Sequence, residues 1–344
     1  MQFEKRKVKV KIKSPLQNFC IVEQEIEFRK DPLIGKWSRI NIHRTKRPIQ
    51  KTNREIFQNL ISESRKNCPF CEENLEKSVA KFVDFEEKMK FGESIIFPNL
   101  FPYGKYHAVV LFSAKKHFMK LEEFKPKLIS DAIQNSLNFF KKANEKDPAF
   151  KFPSINFNFM PPSAASIFHP HLQILLDDRP TFFTQILMQK SLEYFKKNSS
   201  NYWFDLIEKE KKEKERFIGE TGSFCWLADF SPIKNNQVSG IVEEKVSALT
   251  SFSRKNIKDL ALGLSKILSR MGKIGVESFN MCIFSGPMDE DISDYFLVNL
   301  KMLSRPSLSS TTTDIGFMEL IQQESVVETL PEEVAEKLRF KKRK

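Results

Sequence analysis

The sequence is poor in glycine and has no long apolar run. It has 11 glycines in 344 residues and no glycine-rich loop. Rossmann and P-loop sites need such a loop to bring the backbone close to phosphates, so neither is expected. No apolar stretch approaches the roughly 20 residues that cross a bilayer, and no apolar segment follows the basic residues at the start. We therefore expect neither a membrane span nor a secretory signal, and a cytoplasmic location.

Cysteine and histidine are scarce, with five of each. An odd number of dispersed cysteines argues against a disulfide framework. Only Cys68 and Cys71 form a pair, and Cys-x-x-Cys is typical either of a thiol redox pair or of half a metal site. The local pattern does not resemble a thioredoxin-like unit, whereas a metal site would need two further ligands from the histidines. We interpret the other three cysteines as core thiols: Cys20, Cys225 and Cys282.

Positive charge is in excess, with a formal net charge of +12. This charge suits phosphorylated ligands, but it is equally compatible with nucleic acid or with no specific partner. Most of the lysines are scattered, and no RNA-recognition or helix-turn-helix signature accompanies them. We therefore expect no nucleic-acid partner.

The most informative stretch is residues 158–180, which predicts two strands joined by a proline-containing loop. The second strand carries His-Pro-His-Leu-Gln. Because residues two apart on a strand share a face, His169, His171 and Gln173 would line one side. Three polar groups on a rigid strand favour a functional site. The alternative is a solvated edge strand that happens to contain two histidines.

The second half of the chain repeats the first in outline. Strands at 224–230, 238–242, 279–284 and 295–303, with a helix at 257–271, follow the same order as the elements of the first half. This pattern predicts a duplicated α+β fold. We place N-terminal strands in 1–30, a first half in 31–217 and a second half in 218–344. No histidine occurs after His171, so only the first half is expected to carry the chemistry.

Four patterns together carry a specific resemblance: DPLIGKW with HRTKRP, CPFC, FPNLFPYGKYHAVV, and HPH-x-Q. In this order they resemble galactose-1-phosphate uridylyltransferase and its relatives, the two-repeat branch of the histidine-triad superfamily. The resemblance implies an α+β fold of two histidine-triad-like repeats, each an antiparallel sheet with packed helices. It also implies ping-pong transfer of a nucleoside monophosphate through a covalent histidine intermediate.

The resemblance assigns roles to individual residues. Cys68, Cys71, His117 and His169 match the ligands of one structural zinc, a Cys₂His₂ set with no open position. His171 matches the nucleophile, and Gln173 matches the group that hydrogen-bonds the transferred phosphoryl group. Four further residues match positions that contact nucleotide phosphates: Arg44, Arg47, Asn158 and Ser166. We interpret His43 and His107 as structural or surface residues.

The resulting hypothesis is a zinc-containing nucleotidylyltransferase of carbohydrate metabolism that moves UMP between a UDP-hexose and a hexose 1-phosphate. One alternative is an adenylyltransferase or phosphorylase acting on ADP-glucose, adenylyl sulfate or dinucleoside polyphosphates. The other is a non-catalytic nucleotide- or RNA-binding module. Relatives are often dimers, so a homodimer is an expectation. Two departures stand out: the second half has no His-x-His pair, and the loop before the HPH strand has no glycine.

Overall fold

The computed structural model describes residues 1–340; residues 341–344, which end the predicted 218–344 half, lie outside the described part. The strands up to residue 177 are β1 (Glu4–Ser14), β2 (Cys20–Lys30), β3 (Trp37–Ile40), β4 (Met89–Phe91), β5 (Ser94–Pro98), β6 (Tyr106–Leu111), β7 (Phe152–Phe159) and β8 (His171–Asp177). The helices in this stretch are α1 (Arg54–Ser64), α2 (Glu72–Ser78) and α3 (Pro126–Lys146).

Beyond residue 177 the chain repeats this alternation. The strands are β9 (Phe217–Thr221), β10 (Phe224–Ala228), β11 (Val238–Val242), β12 (Phe279–Phe284), β13 (Asn299–Ser304) and β14 (Ser325–Val327). The helices are α4 (Phe182–Asn198), α5 (Tyr202–Glu213), α6 (Arg254–Lys273), α7 (Phe317–Leu320) and α8 (Pro331–Leu338). The strand predicted at 295–303 begins only at Asn299, because the backbone N–H groups of Tyr295 and Phe296 bond back to the Ile292 carbonyl in a turn.

Ten strands form one antiparallel sheet in the order β4-β5-β6-β8-β7-β12-β13-β11-β10-β9. Strands β4 to β8 make one side of it and β9 to β13 the other, with β7 and β12 paired at the centre. The predicted α+β class with two repeated antiparallel units is confirmed. The boundaries proposed at 30/31 and 217/218 stay predictions.

The two halves match residue by residue at their first hairpins. Gly92 and Gly222 both have positive φ, a conformation that glycine adopts without steric cost. A Cβ at either glycine would collide with a carboxylate, that of Asp131 on α3 or that of Asp259 on α6. Each aspartate also accepts the backbone N–H that follows its glycine, from Glu93 or from Ser223. These shared contacts set the register for comparing the halves.

Helices α3 and α6 pack on one face of the sheet and against each other. α6 starts at a capping box in which Ser253 and Asn256 exchange hydrogen bonds. The side chains between helices and sheet are apolar, and Phe157, Leu172 and Met281 belong to this core. Because strand residues alternate between faces, the polar residues between these positions lie on the face away from the helices. The HPH strand presents its histidine and glutamine there.

The first and last strands form a second, four-stranded sheet in the order β1-β2-β3-β14. In the long β1–β2 hairpin, Lys7 pairs with Glu25 and Lys9 with Glu23 across the ladder. Cys20 lies at the end of this hairpin and is exposed, so the core-thiol prediction is wrong for it; Cys225 is buried and Cys282 half-buried.

In the part of the chain that the structure describes, none of the helices combines the length and apolarity that a bilayer crossing requires.

Candidate functional site

Four buried side chains meet just before β8. Cys68 and Cys71 come from the turn that leads into α2, His117 follows β6, and His169 lies two residues before the start of β8. Their ligand atoms all lie within 4.8 Å of one another. Cys71 Sγ is 3.4 Å from His117 Nδ1, and both sulfurs are 3.7 Å from His169 Nδ1. The structure thus brings together the four residues that the resemblance assigns to a metal.

The orientation of the two imidazoles fits metal binding. A tetrahedral zinc with its usual bond lengths would separate neighbouring S and N ligand atoms by about 3.6 Å, close to the distances found here. His117 Nε2 donates to the Ile61 carbonyl at 3.0 Å, and His169 Nε2 donates to the Ser113 carbonyl at 2.9 Å. Each ring therefore carries its hydrogen on Nε2 and directs the Nδ1 lone pair at the cysteines.

Burial shifts the pKa values of two of these residues in opposite directions. Burial and the neighbouring Cys68 raise the pKa of Cys71 to about 12, while burial lowers the pKa of His169 to about 4. Neutral imidazoles are ready metal ligands, but a thiol with so high a pKa becomes a thiolate only beside a cation. The donor set, sealed by apolar residues such as Phe97 and Leu111, could bind a metal ion.

His171 begins β8 and is held from two sides. Its Nδ1–H donates to the backbone carbonyl of His169 at 2.8 Å, so the lone pair lies on Nε2. The Phe70 ring packs edge-on against the imidazole, with ring centroids 5.2 Å apart. Burial lowers the pKa of His171. A neutral imidazole with one nitrogen fixed offers the other as a nucleophile.

Gln173 shares the strand face of His171 and is held by residues that sequence reasoning missed. Its Oε1 accepts from His107 Nε2 at 3.0 Å and from the Tyr103 hydroxyl at 3.0 Å. His107 is buried, not exposed, and it lies on β6 beside β8. The available signal was a histidine at the start of an apolar run, three residues after Gly104.

Asn158 lies at the end of β7, and Ser166 in the loop that follows. Asn158 Oδ1 accepts from Asn280 Nδ2 at 2.7 Å, and Arg305 Nη1 donates to Asn280 Oδ1 at 2.8 Å. Asn156 of β7 is in register with Gln173, which places Asn158 beside the start of β8. Ser166 is exposed. Asn158 therefore borders the His171 strand, whereas Ser166 lies in the exposed loop that leads into it.

The loop between β7 and β8 bends without glycine. Met160 and Ala164 both have φ of 71°, a region that strains residues with a Cβ. The Ser163 hydroxyl and N–H both bond the Met160 carbonyl and hold the turn. The chain thus makes a tight turn ahead of the HPH strand at a cost in backbone strain.

Arg44 and Arg47 lie elsewhere. They face Glu328, with N–O distances of 3.7 and 3.4 Å. They line a cavity of about 360 Å³ together with residues 312–319, and His171 and Gln173 are not part of its lining. The structure therefore does not bring these two arginines into one cavity with the nucleophile, and their role in phosphate binding stays a prediction.

Comparison with known proteins gives a consistent result, although no family model matches the chain. An uncharacterized protein of Archaeoglobus fulgidus is 32% identical over 342 residues, 98% of each chain. The galactose-1-phosphate uridylyltransferase of Schizosaccharomyces pombe is 24% identical over 73% of this chain and 76% of its own. The fold is similar to that of an ADP-glucose phosphorylase from Arabidopsis thaliana solved with bound ADP-glucose, with a TM-score of 0.72 and 19% identity over 92% of this chain and 99% of that one. The sequence relatives support a galactose-1-phosphate uridylyltransferase-like family for this chain, and the structural likeness shows that the fold is shared.

Proposed function

We propose that this protein transfers a nucleoside monophosphate through a covalent intermediate on His171, with UMP moving between a UDP-hexose and a hexose 1-phosphate. The observation that carries the proposal is the state of the His171 ring. Its Nδ1–H is bound to the His169 carbonyl, so Nε2 is the nitrogen left to attack. A nucleophile held in one tautomer needs no separate base for its first step.

The reaction divides into two displacements. In the first, the Nε2 lone pair attacks the α-phosphorus, the bond from this phosphorus to the bridging oxygen breaks, and hexose 1-phosphate leaves with that oxygen. In the second, a phosphate oxygen of the acceptor sugar phosphate attacks the same phosphorus and the P–N bond breaks, which regenerates His171. The Gln173 amide donates to the oxygens of the transferred phosphoryl group. An amide cannot act as a base toward water, which favours transfer over hydrolysis.

We propose that Cys68, Cys71, His117 and His169 hold one zinc ion. With four protein ligands it would be structural, since no position is open for substrate. As one of the four ligands, His169 would be held in place by the ion, and its carbonyl in turn orients His171. Asn158 borders the same strand and Ser166 lies in the loop before it, and both are proposed to contact the nucleotide phosphates.

The experiment is covalent labelling. The protein is incubated with UDP-glucose carrying radiolabel in its α-phosphate, and in parallel with ADP-glucose labelled in the same way. We expect an acid-labile label from UDP-glucose that is lost in His171→Ala. Addition of galactose 1-phosphate should remove the label and form labelled UDP-galactose.

The other outcomes separate the alternatives. Label from ADP-glucose alone would move the assignment to adenylyl transfer or phosphorolysis. Nucleotide binding without label from either donor would favour a binding module. A label that persists in His171→Ala would show that another residue is the nucleophile. A homodimer is tested in the same preparation by light scattering.

A further inference from the structure

His107 is a buried histidine outside the set of residues that the sequence assigned to the site. On β6 it is in register with Leu175, and Val109 is in register with Gln173. His107 therefore approaches Gln173 from the C-terminal end of β8, whereas His171 lies toward the N-terminal end. The two histidines flank the amide of Gln173 from opposite sides along the strand.

The hydrogen bonds around His107 select its tautomer. The backbone N–H of Tyr103 points at Nδ1 at 3.4 Å, and Gln173 Oε1 lies 3.0 Å from Nε2. A hydrogen on Nε2 satisfies both contacts. The opposite tautomer would set two donors against each other at Nδ1 and two acceptors at Nε2. The Asn99 amide nitrogen, 3.3 Å from Nε2, is a third contact, and as a donor it would be satisfied only by the opposite tautomer. Two of the three contacts therefore favour a hydrogen on Nε2.

Two donors on one oxygen determine how the Gln173 amide is turned. Its Oε1 receives the His107 N–H and the Tyr103 O–H, both at 3.0 Å. The NH₂ group must then point the other way, toward the His171 end of β8. The amide nitrogen of Gln173 has no hydrogen-bond partner among residues 1–340. Turning the amide over would bring its NH₂ against the His107 N–H, a contact between two donors.

We infer that His107 is a positioning residue that, with Tyr103 as a second donor, holds the Gln173 amide with its N–H groups facing the phosphoryl group on His171. This inference rests on the proposed function and adds the residue that presents Gln173. His107 itself touches neither phosphate nor nucleophile. Its ring packs against that of Tyr103, with ring centroids 4.0 Å apart and the planes tilted by 46°. His107 is buried, and the exposed Tyr103 side chain covers it on the outer side.

The matching positions of the second half support this arrangement. Counted from Gly92 and Gly222 and through the strand registers, Gln237 corresponds to His107 and Lys301 to Gln173. Asp229, at the position of Asn99, accepts hydrogen bonds from both. In each half, the side chain at the His107 position thus belongs to the network that fixes the residue at the Gln173 position.

The test is a double-mutant cycle read by the single-turnover rate of His171 labelling. His107→Phe keeps the aromatic volume but removes the N–H, and we expect it to slow labelling by about tenfold to a hundredfold, less than the loss of a whole oxyanion donor. His107→Gln restores an N–H at about the position of Nε2 and should recover most of the rate. Zinc content measured in parallel should stay the same in both variants.

The decisive comparison is made in the Gln173→Ala background. If His107 acts through Gln173, His107→Phe should change the labelling rate there by less than about twofold. An equal loss in both backgrounds would overturn the inference, since it would show a role independent of Gln173. So would a wild-type rate in His107→Phe. Wild-type protein that takes no label from any donor would overturn the proposed function, and this inference with it.

Discussion

The two halves of the ten-stranded sheet carry different side chains at matching places. His171 corresponds to Asn299, and the match extends to the hydrogen bond: His171 Nδ1 donates to the carbonyl two residues earlier at 2.8 Å, and Asn299 Nδ2 does the same at 2.9 Å. Asn299 is buried, and its Oδ1 has no partner in the described part of the chain. The backbone geometry that presents a nucleophile is therefore present twice, but only one half has the imidazole.

The position that matches Gln173 is filled by an ion pair in the second half, and little space is left beside it. Lys301, which corresponds to Gln173, forms an ion pair of 2.7 Å with Asp229. Asp31 and Tyr202 border the same space, which has room for only about 40 Å³. Burial raises the pKa of Asp31, with Asp229 contributing and Lys301 opposing. Such a volume holds a few water molecules and no nucleotide. The comparison teaches that this place on the sheet can bind a nucleotide only when two conditions are met. The strand must carry reactive side chains, and the space above them must be open.

The strongest way to break the comparison is to place the second half's residue in the first. His171→Asn can keep the hydrogen bond to the His169 carbonyl, as Asn299 does in its own half. We expect covalent labelling to fall by at least about 10³-fold, because the amide has no nucleophilic lone pair on nitrogen. Labelling kinetics measure the loss, and thermal unfolding should show that the fold persists. Retention of more than a tenth of the rate would contradict the assignment of His171.

The Cys₂His₂ donor set is the second difference between the halves, since Leu297 stands where His169 stands. We expect about one zinc per chain by elemental analysis. Cys68→Ser should remove it and lower the free energy of unfolding by about 4 kcal/mol at a free zinc concentration about a thousandfold above Kd. Cys20→Ser, at the exposed end of β2, is the matched control and should keep both zinc and stability. Equal stability of Cys68→Ser and wild type with zinc present would refute a structural metal.

The reverse exchange, Lys301→Gln, places the first half's amide in the second half. It leaves Asp229 without its cation in a mostly buried position, with Lys301 15% and Asp229 13% exposed. We expect a loss of about 3 kcal/mol in the free energy of unfolding by denaturant, at the lower end for breaking a buried pair. The His171 labelling rate should stay unchanged. Lys245→Gln breaks an exposed pair with Asp294 and should cost clearly less, because solvent screens an exposed pair. Equal costs for the two variants would show that the ion pair does not stabilise the second half.

Much of this architecture could be predicted from residue patterns. Alternation along the HPH strand predicted which side chains share a face, and the repeated order of elements predicted the duplicated fold. The Cys-x-x-Cys pair suggested half of a metal site, but choosing His117 and His169 among five histidines required the family resemblance. Local pattern specifies which side chains share one face of a strand. His171 and Gln173 both lie on β8, so this pattern was sufficient to predict them.

Other features depend on which strands become neighbours, and local pattern does not specify that. His107 contacts Gln173 only because β6 and β8 pair in one register, so it was interpreted as structural or surface. Arg44 and Arg47 were placed near the phosphates by resemblance; the fold pairs them with Glu328 beside a cavity that His171 does not line, and their role stays a prediction. The second half gave no histidine signal, and its closed network became visible only through the strand registers.

The loop that leads into the HPH strand offers the finest test of the first half, because two adjacent alanines there should respond in opposite directions. Ala164 has φ of 71°, where a Cβ costs about 1–2 kcal/mol, while glycine loses about 0.5–1 kcal/mol in extra chain entropy. Ala164→Gly should therefore stabilise the protein by about 0.5 kcal/mol. Ala165 is buried and its φ is not positive, so Ala165→Gly should destabilise by about 1 kcal/mol. Urea unfolding of the two variants side by side measures the difference. Destabilisation by both would show that the loop relieves its strain at another residue, and the tight turn before His171 would then not depend on the backbone conformation at Ala164.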